Sequence, residues 1–156
     1  MTKKPNQERS LVLLKTDAVQ RSLVGEIIKR FERTGLKISA MKMLEATEAQ
    51  LLDHYNKDDA WYLRKGEGII AELKEQGKEI EKDAIEYGKD IIRTVVKYMQ
   101  ASPIVAMVLE GNKAVSVVTK IVGTTEPATS DVGTIRGDYT VDSYGHATYE
   151  DRAVRN

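Results

Sequence analysis

Four consecutive apolar residues, Leu11–Leu14, open the ordered pattern and predict a strand buried on both faces. Lys15 ends the run, and Asp17 is placed to cap a following helix. Val19, Leu23, Val24, Ile27, Ile28 and Phe31 recur at helical spacing and predict one amphipathic helix. Gly35 stands where such a helix stops. Leu36, Ile38 and Ala40 alternate, which predicts a second strand, and a short helix is expected from Thr47 to Tyr55. Residues 57–100 are rich in Lys and Glu with apolar positions at helical intervals, the pattern of two helices with solvated faces, separated near Gly77. Pro103–Gly111 reads as a third, fully buried strand. Asn112 is the expected cap of a helix built on Ala114, Val115, Val117, Val118, Ile121 and Val122. From Thr124 the periodicity is lost, and Pro127, Gly133 and Gly137 predict a long loop.

This order of elements is the βαββαβ arrangement of a ferredoxin-like α+β sandwich with its final edge strand missing. In that arrangement the fourth strand lies beside the first, so one side of Leu11–Leu14 is expected to be unpaired. A single domain over residues 1–156 is expected, with 57–92 as a helical insertion within it. The 24 basic residues equal the 24 acidic ones, so bulk charge draws the chain to neither nucleic acid nor membrane, and anion binding has to come from a local cluster. The absence of cysteine excludes disulfides, thiolate catalysis and cysteine-bound metals. The N-terminal stretch is polar with no signal-like apolar run behind it, and no segment approaches the ~20 apolar residues of a membrane span. A cytoplasmic protein is the resulting expectation.

Two stretches carry candidate chemistry. In "LLKTDAVQRSLVGEIIKRF" a lysine, Lys15, ends a strand, where it can reach a phosphate near the sheet edge. In "GTTEPATSDVGTIRGDY" the hydroxyls of Thr124, Thr125 and Thr134 precede Arg136, with Lys120 just upstream. Hydroxyls and a planar fork of donors suit phosphate oxygens. Taken alone, neither stretch is specific: a lysine after a strand is commonly a surface residue, and "TIRGD" also fits a simple turn. "GEG" at Gly66–Gly68 lacks the spacing of a phosphate loop.

Taken together, the segments carry more. "LLKTDAVQRSLVGEIIKRFERTGLKI", "HY" at His54–Tyr55, "VVKYMQASPIVAMVLEG", "VGTTEPATSDVGTIRGDY" and "RN" at Arg155–Asn156 follow one another in the order found in nucleoside diphosphate kinases. The chain resembles that family over most of its length except residues 57–92 and 141–153, which read as insertions relative to the shortest members. The resemblance implies transfer of the γ-phosphate from a nucleoside triphosphate such as ATP to a nucleoside diphosphate. The family does this in two half-reactions through a phosphohistidine, with Mg2+ held by the nucleotide phosphates. A homo-oligomer, hexameric or tetrameric, is also implied, with no membrane and no specific nucleic acid as partner.

Carried over residue by residue, Lys15 matches a lysine on the phosphates and the ribose 3′-hydroxyl, and Tyr55 a tyrosine near the catalytic histidine. Thr125 and Arg136 match phosphate ligands, and Asn156 an asparagine on the sugar hydroxyl. Lys120 stands where the family usually has arginine; it keeps the charge and loses the fork. Thr16 replaces a proline at the helix entry. Trp61 or Tyr62 could stand in for the aromatic that stacks on the base, although a packing role is the simpler reading. The family's catalytic motif is R-N-x-x-H, of which Arg155 and Asn156 supply the first two positions. The nucleophile is therefore expected three positions after Asn156, and residues 1–156 by themselves are expected to be inactive. His54 and His146 are the two histidines present; the first is expected to be structural and the second to lie in a polar loop insertion. The alternative is a non-catalytic nucleotide-binding or partner-binding protein of the same fold, with Lys15, Thr125 and Arg136 as its anion site.

Overall fold

In chain order the elements are β1 (Gln7–Leu14), α1 (Thr16–Gln20), α2 (Val24–Glu32), β2 (Lys37–Leu44), α3 (Glu48–His54), α4 (Asp59–Glu75) and α5 (Ala84–Met99). They continue as β3 (Ile104–Asn112), α6 (Ala114–Val122), a 3₁₀ turn (Pro127–Thr129), α7 (Ile135–Tyr139) and α8 (Tyr144–Tyr149). This computed structural model describes residues 7–156; residues 1–6, part of the N-terminus read above as polar, lie outside the described residues. Contacts gather the chain into two units, Met1–Glu45 with Ser102–Val141 and Arg155–Asn156, and Ala46–Ala101 with Asp142–Val154.

The first unit is built on an antiparallel sheet of order β1-β3-β2. That is the ferredoxin-like order, in which a fourth strand would lie beside β1. β1 begins earlier than its apolar run. Polar Gln7–Ser10 still find partners on β3, from Gln7 opposite Asn112 to Leu14 opposite Val105. An ion pair between Arg9 and Glu110, 2.6 Å, ties the same strands at the surface. β2 pairs with the other side of β3 but carries an irregularity at Ser39, between Ile38 and Ala40. The extra residue breaks the expected alternation, as a bulge does, and leaves Met41 and Met43 more than half exposed. Val12 and Leu14 of β1 and Val105, Met107 and Leu109 of β3 meet Ile27 and Phe31 of α2 and Ala114 and Val118 of α6 in one core.

Four local expectations are corrected. The single helix predicted from Val19 to Phe31 is broken into α1 and α2, because Ser22 adopts a left-handed conformation (φ 59°) and the Leu23 N–H turns back to the Ala18 carbonyl. The apolar face survives the break, so periodicity alone could not reveal it. Asp17 is not the cap of α1: Lys15 occupies that position in extended conformation, and Asp17 falls in the first turn. Asn112 does not cap α6, since it is the last residue of β3 and Lys113 precedes the helix at φ 51°. The Glu8 carboxylate on β1 instead accepts the Val115 N–H at 3.1 Å. The long loop expected after Thr124 also contains order. "TIRGD" forms most of α7, with the Thr134 hydroxyl accepting the Gly137 N–H at 3.0 Å.

In the second unit α3 starts at a reciprocal cap between Thr47 and Gln50, and Asp58 and Asp83 cap α4 and α5. Gly77, at φ 67°, ends α4 with the Lys78 N–H on the Leu73 carbonyl, as a helix-terminating glycine does. The acidic and basic residues of α5 form exposed pairs, Lys89–Glu86 and Arg93–Asp90 among them, so the reading of a solvated face holds. Residues 141–153, expected as a polar loop insertion, contain α8, capped by Ser143 and followed by a bidentate ion pair from Arg152 to Asp142 at 2.6 and 2.9 Å. His146 therefore sits on a helix.

Gly66 and Gly88 let α4 and α5 pack backbone to backbone. A Cβ on Gly66 would stand 1.6 Å from the Ala84 carbonyl oxygen, and one on Gly88 would stand 2.2 Å from that of Tyr62. "GEG" is thus a packing feature, and only its first glycine is needed for it: Gly68 has nothing within 4 Å. Gly66→Ala and Gly88→Ala are each expected to destabilise the protein by about 2–3 kcal/mol through overpacking. Gly68→Ala is expected to stabilise it by about 0.5–1 kcal/mol through helix propensity. Urea melts of the three variants check this, and equal effects at Gly66 and Gly68 would contradict the close approach.

Candidate functional site

The chemistry of the first unit gathers where β1 gives way to α1. Lys15 follows the last residue of β1, and its ammonium donates a short hydrogen bond to the Asn156 side-chain carbonyl. The Asn156 amide nitrogen in turn donates to the Thr125 backbone carbonyl. Asn156 thereby links the strand end to the loop after α6. Arg136, on α7, donates from Nη1 to the carbonyls of Gly123 and Thr124, both at 3.1 Å. Lys15, Arg136 and Asn156 line one cavity together with Asp17, Arg21 and Thr140. Burial drives the Lys15 ammonium down to about 8; Asp17 pulls it back up, and the nearby Arg136 charge pushes it further down. A half-buried cation near a second one, with an amide bridging the first to the loop, is a donor set that suits an oxyanion.

Not every predicted hydroxyl is available. Thr134 donates to the Asp131 carbonyl at 2.6 Å while capping α7, and Thr124 is engaged with Ser130 and Thr129 at 2.8 and 3.1 Å. Both hydroxyls shape the loop. Thr125 is exposed, with its carbonyl taken by Asn156. Lys120 is exposed in the last turn of α6 and is not among the residues that line the cavity of Lys15 and Arg136.

Sequence reasoning missed the residues that hold α7. Arg30 of α2 forms an ion pair with Asp138 at 2.6 Å, donates to the Gly133 carbonyl at 3.2 Å and lies over the Tyr139 ring at 4.5 Å. The Tyr139 hydroxyl donates to Glu26 at 3.0 Å, and Arg21 donates to the Tyr139 carbonyl at 2.6 Å. The Gly133 N–H and the Arg30 guanidinium hold the Asp138 carboxyl below its ordinary value. No local pattern announces these contacts, because their partners lie more than a hundred residues apart along the chain.

The remaining candidates belong to the second unit. Tyr55 follows α3, meets His54 edge-on at 4.8 Å, and has its phenol pushed up by burial. Trp61 and Tyr62 start α4 and meet edge-on at 5.6 Å; the Tyr62 carbonyl lies against Gly88, which accounts for its place by packing. Both histidines, His54 and His146, are in this unit.

Fold and side chains together define an α+β protein with a cluster of cationic donors, chemically suited to an oxyanion, at the end of a strand. The family model for nucleoside diphosphate kinase matches residues 8–63 and 67–152, a match that runs through both units. The nucleoside diphosphate kinase of Pyrobaculum aerophilum is 46% identical over 154 residues, covering 96% of this chain and 84% of that protein. The crystal structure of an NDP kinase from the same organism superposes with a TM-score of 0.89 at 43% identity, covering 95% of this chain and 84% of the other. A transition-state mimic of the Borrelia burgdorferi enzyme, with bound vanadate and ADP, superposes with a TM-score of 0.74 at 28% identity, covering 95% and 74%. The chain belongs to the nucleoside diphosphate kinase family, a family of phosphate-transferring enzymes.

The lowered Lys15 value makes a direct prediction for the free protein. Between pH 8 and the ordinary lysine value of 10.5, the unfolded chain holds this proton more tightly than the folded one, so stability rises with pH across that window. The 13Cε resonance of Lys15 is expected to titrate with a midpoint near 8, and Arg136→Gln is expected to raise that midpoint by removing a like charge. A midpoint at the ordinary lysine value would show the ammonium to be fully hydrated.

Proposed function

We propose that this chain binds the phosphates of nucleoside di- and triphosphates at Lys15, Arg136 and Thr125, with Asn156 on the sugar hydroxyl. It does so in order to pass the γ-phosphate of a triphosphate to a diphosphate through a phosphohistidine. The observation that carries this reading is the gathering of Lys15 and Arg136 on one cavity, where burial, and to a smaller extent the Arg136 charge, depress the Lys15 ammonium to about 8. Two half-buried cations brought together are stabilised by an anionic occupant. Phosphoryl transfer asks mainly for positioning and charge stabilisation, which a lysine, an arginine and a bridging amide supply. The vanadate and ADP of the Borrelia burgdorferi enzyme support the same ligand class for a relative.

The roles divide by chemistry. The Arg136 guanidinium, held by the carbonyls of Gly123 and Thr124, is assigned to the phosphate oxygens. Lys15 acts as a point charge that regains its proton when phosphate enters. Lys120 adds exposed positive charge from α6 and steers the anion. Magnesium, which would neutralise phosphate charge, fits the phosphates better than these cationic side chains, and among the described residues no group of three acidic or histidine side chains could hold it. Tyr55 is assigned to the neighbourhood of the nucleophile, and Trp61 or Tyr62 to the base. The nucleophile is assigned to a histidine, the group that carries the phosphate in the phosphohistidine chemistry proposed here. The working form is a homo-oligomer, hexameric or tetrameric, in the cytoplasm; no described helix is long and apolar enough to cross a membrane.

Two measurements test the reading. A chain extended through the motif, given γ-labelled ATP, is expected to hold an acid-labile, base-stable label on one histidine and to release it to a nucleoside diphosphate. Calorimetry of Mg-ADP with Lys15→Met or Arg136→Ala is expected to show affinity reduced about tenfold or more, the scale of a lost charged hydrogen bond. Because the free Lys15 is largely neutral above pH 8, binding at pH 8.5 is expected to take up protons and to weaken as pH rises further. Unchanged affinity in both variants would remove the phosphate assignment.

A further inference from the structure

We infer that Arg30 is a positioning residue that sets the phosphate-binding arginine by bracing both ends of the short helix that carries it. This rests on the proposed role of Arg136 as a phosphate ligand. α7 is only five residues long, too short to hold its own orientation. Its start depends on Gly133, which at φ 92° occupies backbone space that favours glycine. Its last turn carries Asp138 and Tyr139. One guanidinium reaches both ends: Nη1 of Arg30 donates to the Gly133 carbonyl at 3.2 Å, and Nη2 meets the Asp138 carboxylate at 2.6 Å.

The other contacts make the brace rigid. The face of the same guanidinium lies 4.5 Å from the Tyr139 ring centre, and the Tyr139 hydroxyl is held by Glu26, one turn earlier on α2. Asp138 closes the circuit by accepting the Gly133 N–H at 2.8 Å. Arg136 sits between these anchor points, and its own donors reach the carbonyls of Gly123 and Thr124. A small rotation of α7 would carry Arg136 away from the cavity it shares with Lys15. Lysine in place of Arg30 keeps the charge but cannot donate in two fixed directions while stacking on the ring. Arg30 touches no part of the proposed phosphate position, and its effect passes through α7.

The test is a double-mutant cycle read by Mg-ADP calorimetry on the full chain, using Arg30→Lys, Arg136→Ala and the pair. Arg30→Lys alone is expected to weaken binding about tenfold, and to change it less than about twofold once Arg136 is absent. Tyr139→Phe, which keeps the ring and drops the bond to Glu26, is expected to weaken binding by a smaller factor in the same Arg136-dependent way. The Nε–Hε resonance of Arg136 in the ligand-free protein is expected to shift in Arg30→Lys, a signal that a general loss of stability would not give. An equal loss in both backgrounds, or no loss and no shift, would overturn the inference. If Arg136→Ala itself leaves affinity unchanged, the phosphate assignment fails; if only Arg30→Lys is silent, the assignment stands and the brace fails.

Discussion

Both neighbours of the sheet pair through a single strand, and the rest of the first unit follows from that constraint. β3 hydrogen-bonds to β1 on one side and β2 on the other, so its backbone groups are satisfied from both edges. Its side chains at Val105, Met107 and Leu109 are almost wholly buried, and α2 and α6 pack over them through Phe31 and Val118. With the strands fixed in register, the end of β1 is fixed too, and Lys15 can only emerge there. The site is thus a consequence of strand pairing before it is a matter of side-chain chemistry.

The electrostatics of the cavity follow from that placement. Lys15 is held where burial and Arg136 both work against its charge. Two neighbouring cations held in this way carry a cost that a bound anion would relieve. Around it, several polar groups in the loop from Gly123 to Tyr139 hold its shape. Thr124, Ser130 and Thr134 bond within the loop, while Arg30 and Arg21 tie its end back towards α1 and α2. This division suits a reaction that depends on placing charge accurately.

Much of this was legible along the chain. The strands at Leu11–Leu14, Leu36–Leu44 and Pro103–Gly111 announced themselves by apolar pattern, and Gly35 and Gly77 marked real helix ends. Lys15, Arg136 and Asn156 were identifiable from ordered motifs, and they do meet at one cavity. Lys120 was legible as a charge but not in its place, since it remains exposed apart from the cluster. α7 and α8 were hidden because helices of five and six residues offer too little periodicity to read.

The sequence by itself therefore determined the fold class and the residue types at the candidate site. These depend on period, composition and short-range motifs, which are local properties. Only the tertiary structure decided that Ser22 breaks the first helix, that Glu8 rather than Asn112 serves the start of α6, and that Gly66 and Gly88 are contact points between helices. It also decided that Arg30 braces α7. Each of these joins groups that are distant along the chain or sets one backbone angle against several others. Such choices are made by the packing free energy of the whole fold, which no window of neighbouring residues contains.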